Sequence, residues 1–138
     1  MEITFYKYQG TGNDFIILDN REEKYSELSV VQIKEICDRK FGIGADGLML
    51  LNNKAGFDFE MSYYNSDGKP GSMCGNGGRC MVQFATDMGR MRTGYSFLAV
   101  DGKHRAEADM PDNIRHKLQY INEAGKESGH AKSHIGAP

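Results

Sequence analysis

The chain has 138 residues, a net charge of −2 and no tryptophan, with 39% hydrophobic residues including seven Phe and seven Tyr. That is enough apolar material for one folded domain, and the near-neutral charge excludes a general attraction to nucleic acid or anionic membrane. Three cysteines, Cys37, Cys74 and Cys80, are too few and too oddly numbered for a secreted disulfide framework. The start lacks a basic flank followed by an apolar run, and no stretch reaches the length of a membrane span. The expectation is a soluble cytoplasmic protein with a small neutral or zwitterionic partner.

Residues 2–8 alternate, with Ile3 and Phe5 on one face and Thr4, Tyr6 and Tyr8 on the other, and predict a strand. Gly10-Thr11-Gly12-Asn13 breaks it. Asp14 to Leu18 is apolar enough for a strand buried on both faces. Asn13 therefore stands at a strand mouth, either as an ordinary turn residue or as an amide facing a ligand. Ser29-Val30-Val31-Gln32 has capping-box form and predicts a helix start, with Val30, Ile33, Ile36 and Cys37 as its apolar stripe and Gly42 as its stop. Gly42-Ile43-Gly44-Ala45-Asp46-Gly47 has the spacing of a dinucleotide-binding fingerprint, but a helix precedes it and the apolar run Leu48 to Leu51 follows. The order is the reverse of what that site needs, and the stretch reads as a helix-to-strand turn.

Phe57 to Tyr64 alternates strictly and predicts a strand that ends at Asn65, a second short amide held on a rigid element. Asn65 to Cys80 is a flexible, turn-rich loop that leads into a helix over Cys80 to Met88, whose apolar positions are Met81, Phe84, Ala85 and Met88. Cys74 lies at this junction. It is either a small buried hydrophobe or a thiol at the positive end of a helix, where unpaired N–H groups favour a thiolate. Gly89 predicts the helix stop. Tyr95 to Val100 and Lys103 to Met110 predict a hairpin around Asp101-Gly102. Ile114, Leu118 and Tyr120 form one further candidate strand, and residues 122–138 read as a polar, loosely held tail, so the domain is expected over 1–121. Metal ligation is disfavoured. Cys74 and Cys80 lie six apart, and His130 and His134, although four apart, follow Gly129 without an apolar stripe.

Four blocks occur in order: Gly10-Thr11-Gly12-Asn13-Asp14-Phe15, Gly42-Ile43-Gly44-Ala45-Asp46-Gly47, Tyr64-Asn65-Ser66-Asp67-Gly68 and Met73-Cys74-Gly75-Asn76-Gly77-Gly78-Arg79-Cys80. Together they make residues 1–110 resemble the N-terminal half of the diaminopimelate epimerases. The resemblance implies an α+β fold, a curved and mostly antiparallel sheet wrapped around a central helix. It also implies a cofactor-independent isomerase that interconverts LL- and meso-diaminopimelate for lysine and cell-wall synthesis. By matching position, Cys74 is implied as one of two catalytic cysteines. Asn13 and Asn65 are implied as substrate-binding amides, and the N–H groups of Gly75 and Asn76 as the holders of the α-carboxylate. Cys80 reads as structural. No ligand role carries over to Gly47, where some members of the family have a longer side chain.

The resemblance places the second cysteine in a further half of similar size, so this chain is expected to carry half of the machinery and not to epimerise alone. Its expected partner is that C-terminal half or a second copy of the chain. Two other readings use the same fold: a related racemase or isomerase, proline racemase-like or phenazine-pathway-like, and a non-catalytic dimeric binding module.

Overall fold

The computed structural model describes residues 2–10, 12–72, 75–89, 94–107 and 133–135. Cys74, His130, the candidate strand around Ile114 to Tyr120 and most of the expected tail lie outside the described residues. The elements run β1 (Ile3–Gly10), β2 (Asn13–Asp19), α1 (Val30–Cys37), β3 (Gly47–Asn52), β4 (Phe59–Asn65), α2 (Gly75–Asp87), β5 (Gly94–Ala99), β6 (Gly102–Glu107) and β7 (Ser133–Ile135). They form one sheet in the order β6-β5-β4-β3-β2-β1-β7. Four of its six pairings are antiparallel, and β2–β3 and β4–β5 are parallel. The fold is α+β with a mainly antiparallel sheet. Within the expected tail, Ser133–Ile135 pairs with Ile3–Phe5 at the sheet edge.

Strand alternation distributes the core to two sides of the sheet. Tyr8, Phe15, Ile17, Met49, Leu51, Phe59, Met61, Tyr95 and Phe97 pack with Met81, Phe84 and Ala85 of α2, so five strands converge on this helix. Ile3, Phe5, Ile16, Leu18, Leu48 and Leu50 face the other way, against Ile33, Ile36 and Cys37 of α1. Adjacent residues of β2 and β3 thus serve opposite layers, which is why both strands are apolar without interruption. Phe84 is fully buried and meets Tyr6 and Tyr8 at ring-centroid distances of 5.0 and 5.8 Å. Burial of such a side chain stabilises the fold by roughly 2 to 3 kcal/mol. Beneath α2 the Thr86 and Tyr95 hydroxyls pair at 2.7 Å, and Thr86 also donates to the Val82 carbonyl at 3.0 Å.

The two helices differ from expectation at one end each. The Ser29 capping box forms as the sequence predicts, but α1 stops at Cys37, well before Gly42. The Asp38 carboxylate accepts the N–H groups of Lys40 and Phe41 at 2.8 and 2.9 Å, and this local capture ends the helix. Residues 42–45 then fold back, with the N–H groups of Ile43 and Gly44 donated to the Ile36 carbonyl and that of Ala45 to Cys37. Val30, expected in the apolar stripe, is half exposed.

Helix α2 starts at Gly75, five residues before the predicted start. Gly77 and Gly78 are buried within it. They are helical despite the low helix propensity of glycine. A Cβ on Gly10 of β1 would sit 3.5 Å from the Cys80 sulfur, an ordinary contact distance that places the end of β1 beside α2. At the other end Gly89 has φ +94° and donates its N–H to the Thr86 carbonyl, as the predicted stop requires. In the β5–β6 hairpin Ala99 pairs with Gly102, so the turn residues are Val100 and Asp101, one position earlier than expected.

Candidate active site

Three strand ends and one helix start share a rim of the sheet. In register, Phe15 of β2 lies opposite Gly47 of β3, and Gly47 lies opposite Asn65 of β4. Asn13 begins β2 two residues before Phe15, directly after a tight turn in which Gly10 pairs with Asn13 and Gly12 holds φ +87°. Helix α2 opens at the same rim. The Asn76 side-chain amide donates to Asn13 Oδ1 at 2.7 Å, and Arg79 in turn donates to Asn76 Oδ1.

Behind Asn13 lies a charged cluster. Asn13 Nδ2 donates to Asp46 Oδ2 at 3.1 Å. Asp14 and Asp46 bind each other's backbone, with Asp14 N–H to Asp46 Oδ2 at 3.2 Å and Asp46 N–H to Asp14 Oδ1 at 3.0 Å. Two carboxylates so close need cations. Arg39 spans both, with two bonds to Asp14 at 2.8 and 3.0 Å and one to Asp46 at 3.0 Å. Lys7 adds a third contact to Asp14 at 3.0 Å. Burial by itself pushes the Asp14 carboxyl up, but Arg39 and Lys7 outweigh it and hold the group well below the usual carboxylate range. The same pairing raises Arg39. This cluster ties the mouth of β2 to the mouth of β3 and fixes the backbone on which Asn13 sits.

Asn65 is held differently. Its N–H donates to the Lys69 carbonyl and its carbonyl accepts from Gly68, both at 2.9 Å, while Asp67 caps the Lys69 N–H. Gly68 has φ +87°, and a Cβ there would meet the Val30 carbonyl oxygen at 2.0 Å. The Asn65 side chain packs on Gly71, where a Cβ would meet it at 2.7 Å. The return from Asn65 to Gly71 is thus pinned by backbone bonds and close glycine contacts. A cavity of about 260 Å³ lies beside it, lined by Ser62, Tyr64, Gly71 and Val100 among others, and neither Asn13 nor Asn76 lines it.

Of the residues expected to form a site, Asn13 and Asn76 are in direct contact and Gly75 is the first residue of α2. Asn65 ends the strand that flanks Gly47 at the same rim. Cys74 lies outside the described residues, one position before α2 in sequence. The other two cysteines, Cys37 and Cys80, are buried, and burial pushes the Cys37 thiol up to about 11. Sequence reasoning passed over Asp46, Arg39, Lys7 and Arg79. Asp46 and Arg79 stand within the family blocks, which assign neither of them a role. The strand register that brings Asp46 to Asn13 across 33 residues is a tertiary fact. Chemically, the rim offers the start of a helix, where the macrodipole favours an anion, and the side-chain amides of Asn13 and Asn76. That set suits the carboxylate and ammonium groups of an amino acid.

Solved structures of similar fold include a phenazine biosynthesis protein of the PhzF family from Bacillus anthracis and a methylitaconate-delta-isomerase. The first has a TM-score of 0.62 at 16% identity, over 82% of this chain and 38% of that one. The second has a TM-score of 0.61 at 15% identity, over 79% and 35%. At such identities the likeness is one of fold, and it defines the class of α+β half-domain to which the sheet and α2 belong. The sequence profile described as diaminopimelate epimerase matches residues 5–116, and the chain belongs to that family. It is 45% identical over 133 residues to the diaminopimelate epimerase of Flavobacterium psychrophilum, covering 96% of this chain and 52% of that protein. It is 47% identical over 108 residues to that of Chlorobaculum tepidum, covering 77% and 42%. The chain therefore spans about half the length of the curated relatives it matches.

Proposed function

We propose that this chain supplies one half of the active site of a diaminopimelate epimerase, an isomerase that inverts one α-carbon of diaminopimelate without a cofactor. The observation that carries the reading is the Asn76–Asn13 hydrogen bond, which joins two of the family's motifs at the first turn of α2. An amino-acid α-proton is very weakly acidic. Its removal needs a base on one face, an acid on the other and donors aimed at the carboxylate that takes up the developing charge. A single well-placed donor of that kind is worth about 3 kcal/mol. Cys74 is the thiol of this half, base or acid according to the direction of reaction. The backbone N–H groups of Gly75 and Asn76 take the α-carboxylate. Asn13 and Asn65 bind the remaining amino-acid groups of the substrate.

The second cysteine comes from a further segment of the kind that makes the relatives about twice as long, so the working unit is this chain with a C-terminal half. Its place is the cytoplasmic synthesis of lysine and of the cell-wall precursor. Mixing is the test. The chain is combined with the C-terminal half of the Flavobacterium psychrophilum relative, and conversion of LL- to meso-diaminopimelate is followed. Activity is expected only in the mixture, and Cys74→Ser should lower it by at least a hundredfold. Full epimerisation by the 138-residue chain alone would overturn the half-site reading.

A further inference from the structure

We propose that Asp46 and Arg79 are positioning residues that fix the direction in which the Asn13 and Asn76 amides point. The four side chains form one continuous relay. Asp46 accepts from Asn13 Nδ2 at 3.1 Å, Asn13 Oδ1 accepts from Asn76 Nδ2 at 2.7 Å, and Asn76 Oδ1 accepts from Arg79. Either amide, taken alone, could turn over and exchange its oxygen for its nitrogen. The ends of the relay forbid this. An ionised carboxylate only accepts hydrogen bonds and a guanidinium only donates them. Reversing Asn13 would set an oxygen against Asp46, and reversing Asn76 would set an NH₂ against Arg79. Reversing both would create both conflicts.

Asp46 is itself held as an acceptor, because Asp14 N–H occupies the oxygen that faces Asn13 and Arg39 occupies the other. The relay uses one N–H of each amide. Each therefore has a second N–H of fixed direction, and a bound carboxylate is the group that would take it. A salt-bridge network that served only to hold β2 against β3 would need Asp14, Asp46 and Arg39 but not Arg79. Arg79 is exposed on α2 three residues after Asn76, and its place in the relay is what separates positioning from clamping.

The consequence for substrate rests on the epimerase reading above, whereas the amide orientation does not, and the experiment separates the two. In the full chain labelled with ¹⁵N and ¹³C, the through-hydrogen-bond coupling from Asn76 Nδ2 to Asn13 Cγ reports the orientation without any ligand. It should be present in the wild type, lost in Arg79→Ala and Asp46→Ala, and retained in Arg79→Lys, which can still only donate. Arg79→Gln, whose amide can accept as well as donate, should weaken it. Backbone correlations establish that each variant is folded, and Arg79, being exposed, is the position where folding is least at risk. Absence of the coupling in the wild type overturns the proposal, and its persistence in either alanine variant overturns the role of that residue.

The second arm uses the chain mixed with the C-terminal half. Arg79→Ala should raise KM for diaminopimelate about tenfold, the effect of one misaligned hydrogen bond, with a smaller change in kcat, and Arg79→Lys should restore it. Lost coupling with an unchanged KM overturns the substrate role while leaving the orientation standing. A mixture inactive even with wild-type sequence counts against the epimerase reading alone, since the coupling is measured without it.

Discussion

The side-chain amide of Asn76 donates to Asn13 Oδ1 at 2.7 Å, a contact between residues 63 apart in sequence that fastens the start of α2 to the mouth of β2. Asn13 faces Asp46 with its nitrogen, so its other oxygen-or-nitrogen choice is set by a carboxylate. Asn13→Asp keeps the size of the side chain but turns that donor into a second anion. The fold should survive with a lowered Tm, and KM for the substrate should rise tenfold or more, corresponding to about 1.4 kcal/mol or above. Steady-state kinetics and a thermal melt on the same preparation check both parts.

The three cysteines should differ in reactivity. Cys37 and Cys80 are buried, and burial holds the Cys37 thiol near 11. Only a thiolate reacts quickly with a disulfide reagent. Native protein is expected to show one fast thiol and denatured protein three, with the fast one removed by Cys74→Ser. Two fast thiols in the native state would contradict the burial of the other pair.

Gly68 and Gly56 share φ +87° but not surroundings. A Cβ on Gly56 meets open space, whereas one on Gly68 would stand 2.0 Å from the Val30 carbonyl oxygen. Gly56→Ala should cost only the left-handed strain, about 1 kcal/mol. Gly68→Ala adds a backbone clash and should cost about 3 kcal/mol or more. Denaturant midpoints of the two variants measure the difference, and equal losses would show that the Asn65 return is not seated on α1 as described.

Asp14 gives the acid limb of stability a definite sign. Its folded carboxyl is held below the unfolded value by Arg39 and Lys7, against the opposing effect of burial. Such a group contributes fully above the unfolded pKa of about 4 and loses its contribution as pH falls from there through the depressed folded value. Asp14→Asn should therefore destabilise by about 2 kcal/mol at pH 7. The gap to wild type should close as pH is lowered below about 4. Salt should weaken the exposed Arg39 contact more than the sheltered Lys7 one. Urea unfolding at a series of pH values follows this.

Much of the frame was legible because local rules and tertiary context agree there. The Ser29 capping box, the two-sided apolar runs of β2 and β3, and Gly89 as a stop each follow from residues within a few positions. The start of α2 was not legible. Gly75-Asn76-Gly77-Gly78 has loop composition, yet it is helical where Gly77 and Gly78 are buried and Asn76 is tied to Asn13 far away in sequence. Likewise Asn13, Asn65, Gly75 and Asn76 could be singled out as amides and N–H groups at element ends. Their charged support could not, since Asp46 and Arg39 reach Asn13 and Asp14 only through the parallel β2–β3 register. That register sets Phe15 opposite Gly47, residues far apart in sequence, and no local pattern encodes such a pairing.

On the proposed reading, Cys74 exchanges the substrate's α-proton within a site completed by a second half. Deuterium incorporation at the α-carbon of diaminopimelate, measured in heavy water with the chain and a complementary C-terminal half, tests it most directly. Incorporation is expected from the wild-type mixture, none from the chain alone and none from a mixture carrying Cys74→Ala. Undiminished incorporation with Cys74→Ala, or by the chain without its complement, would contradict that reading.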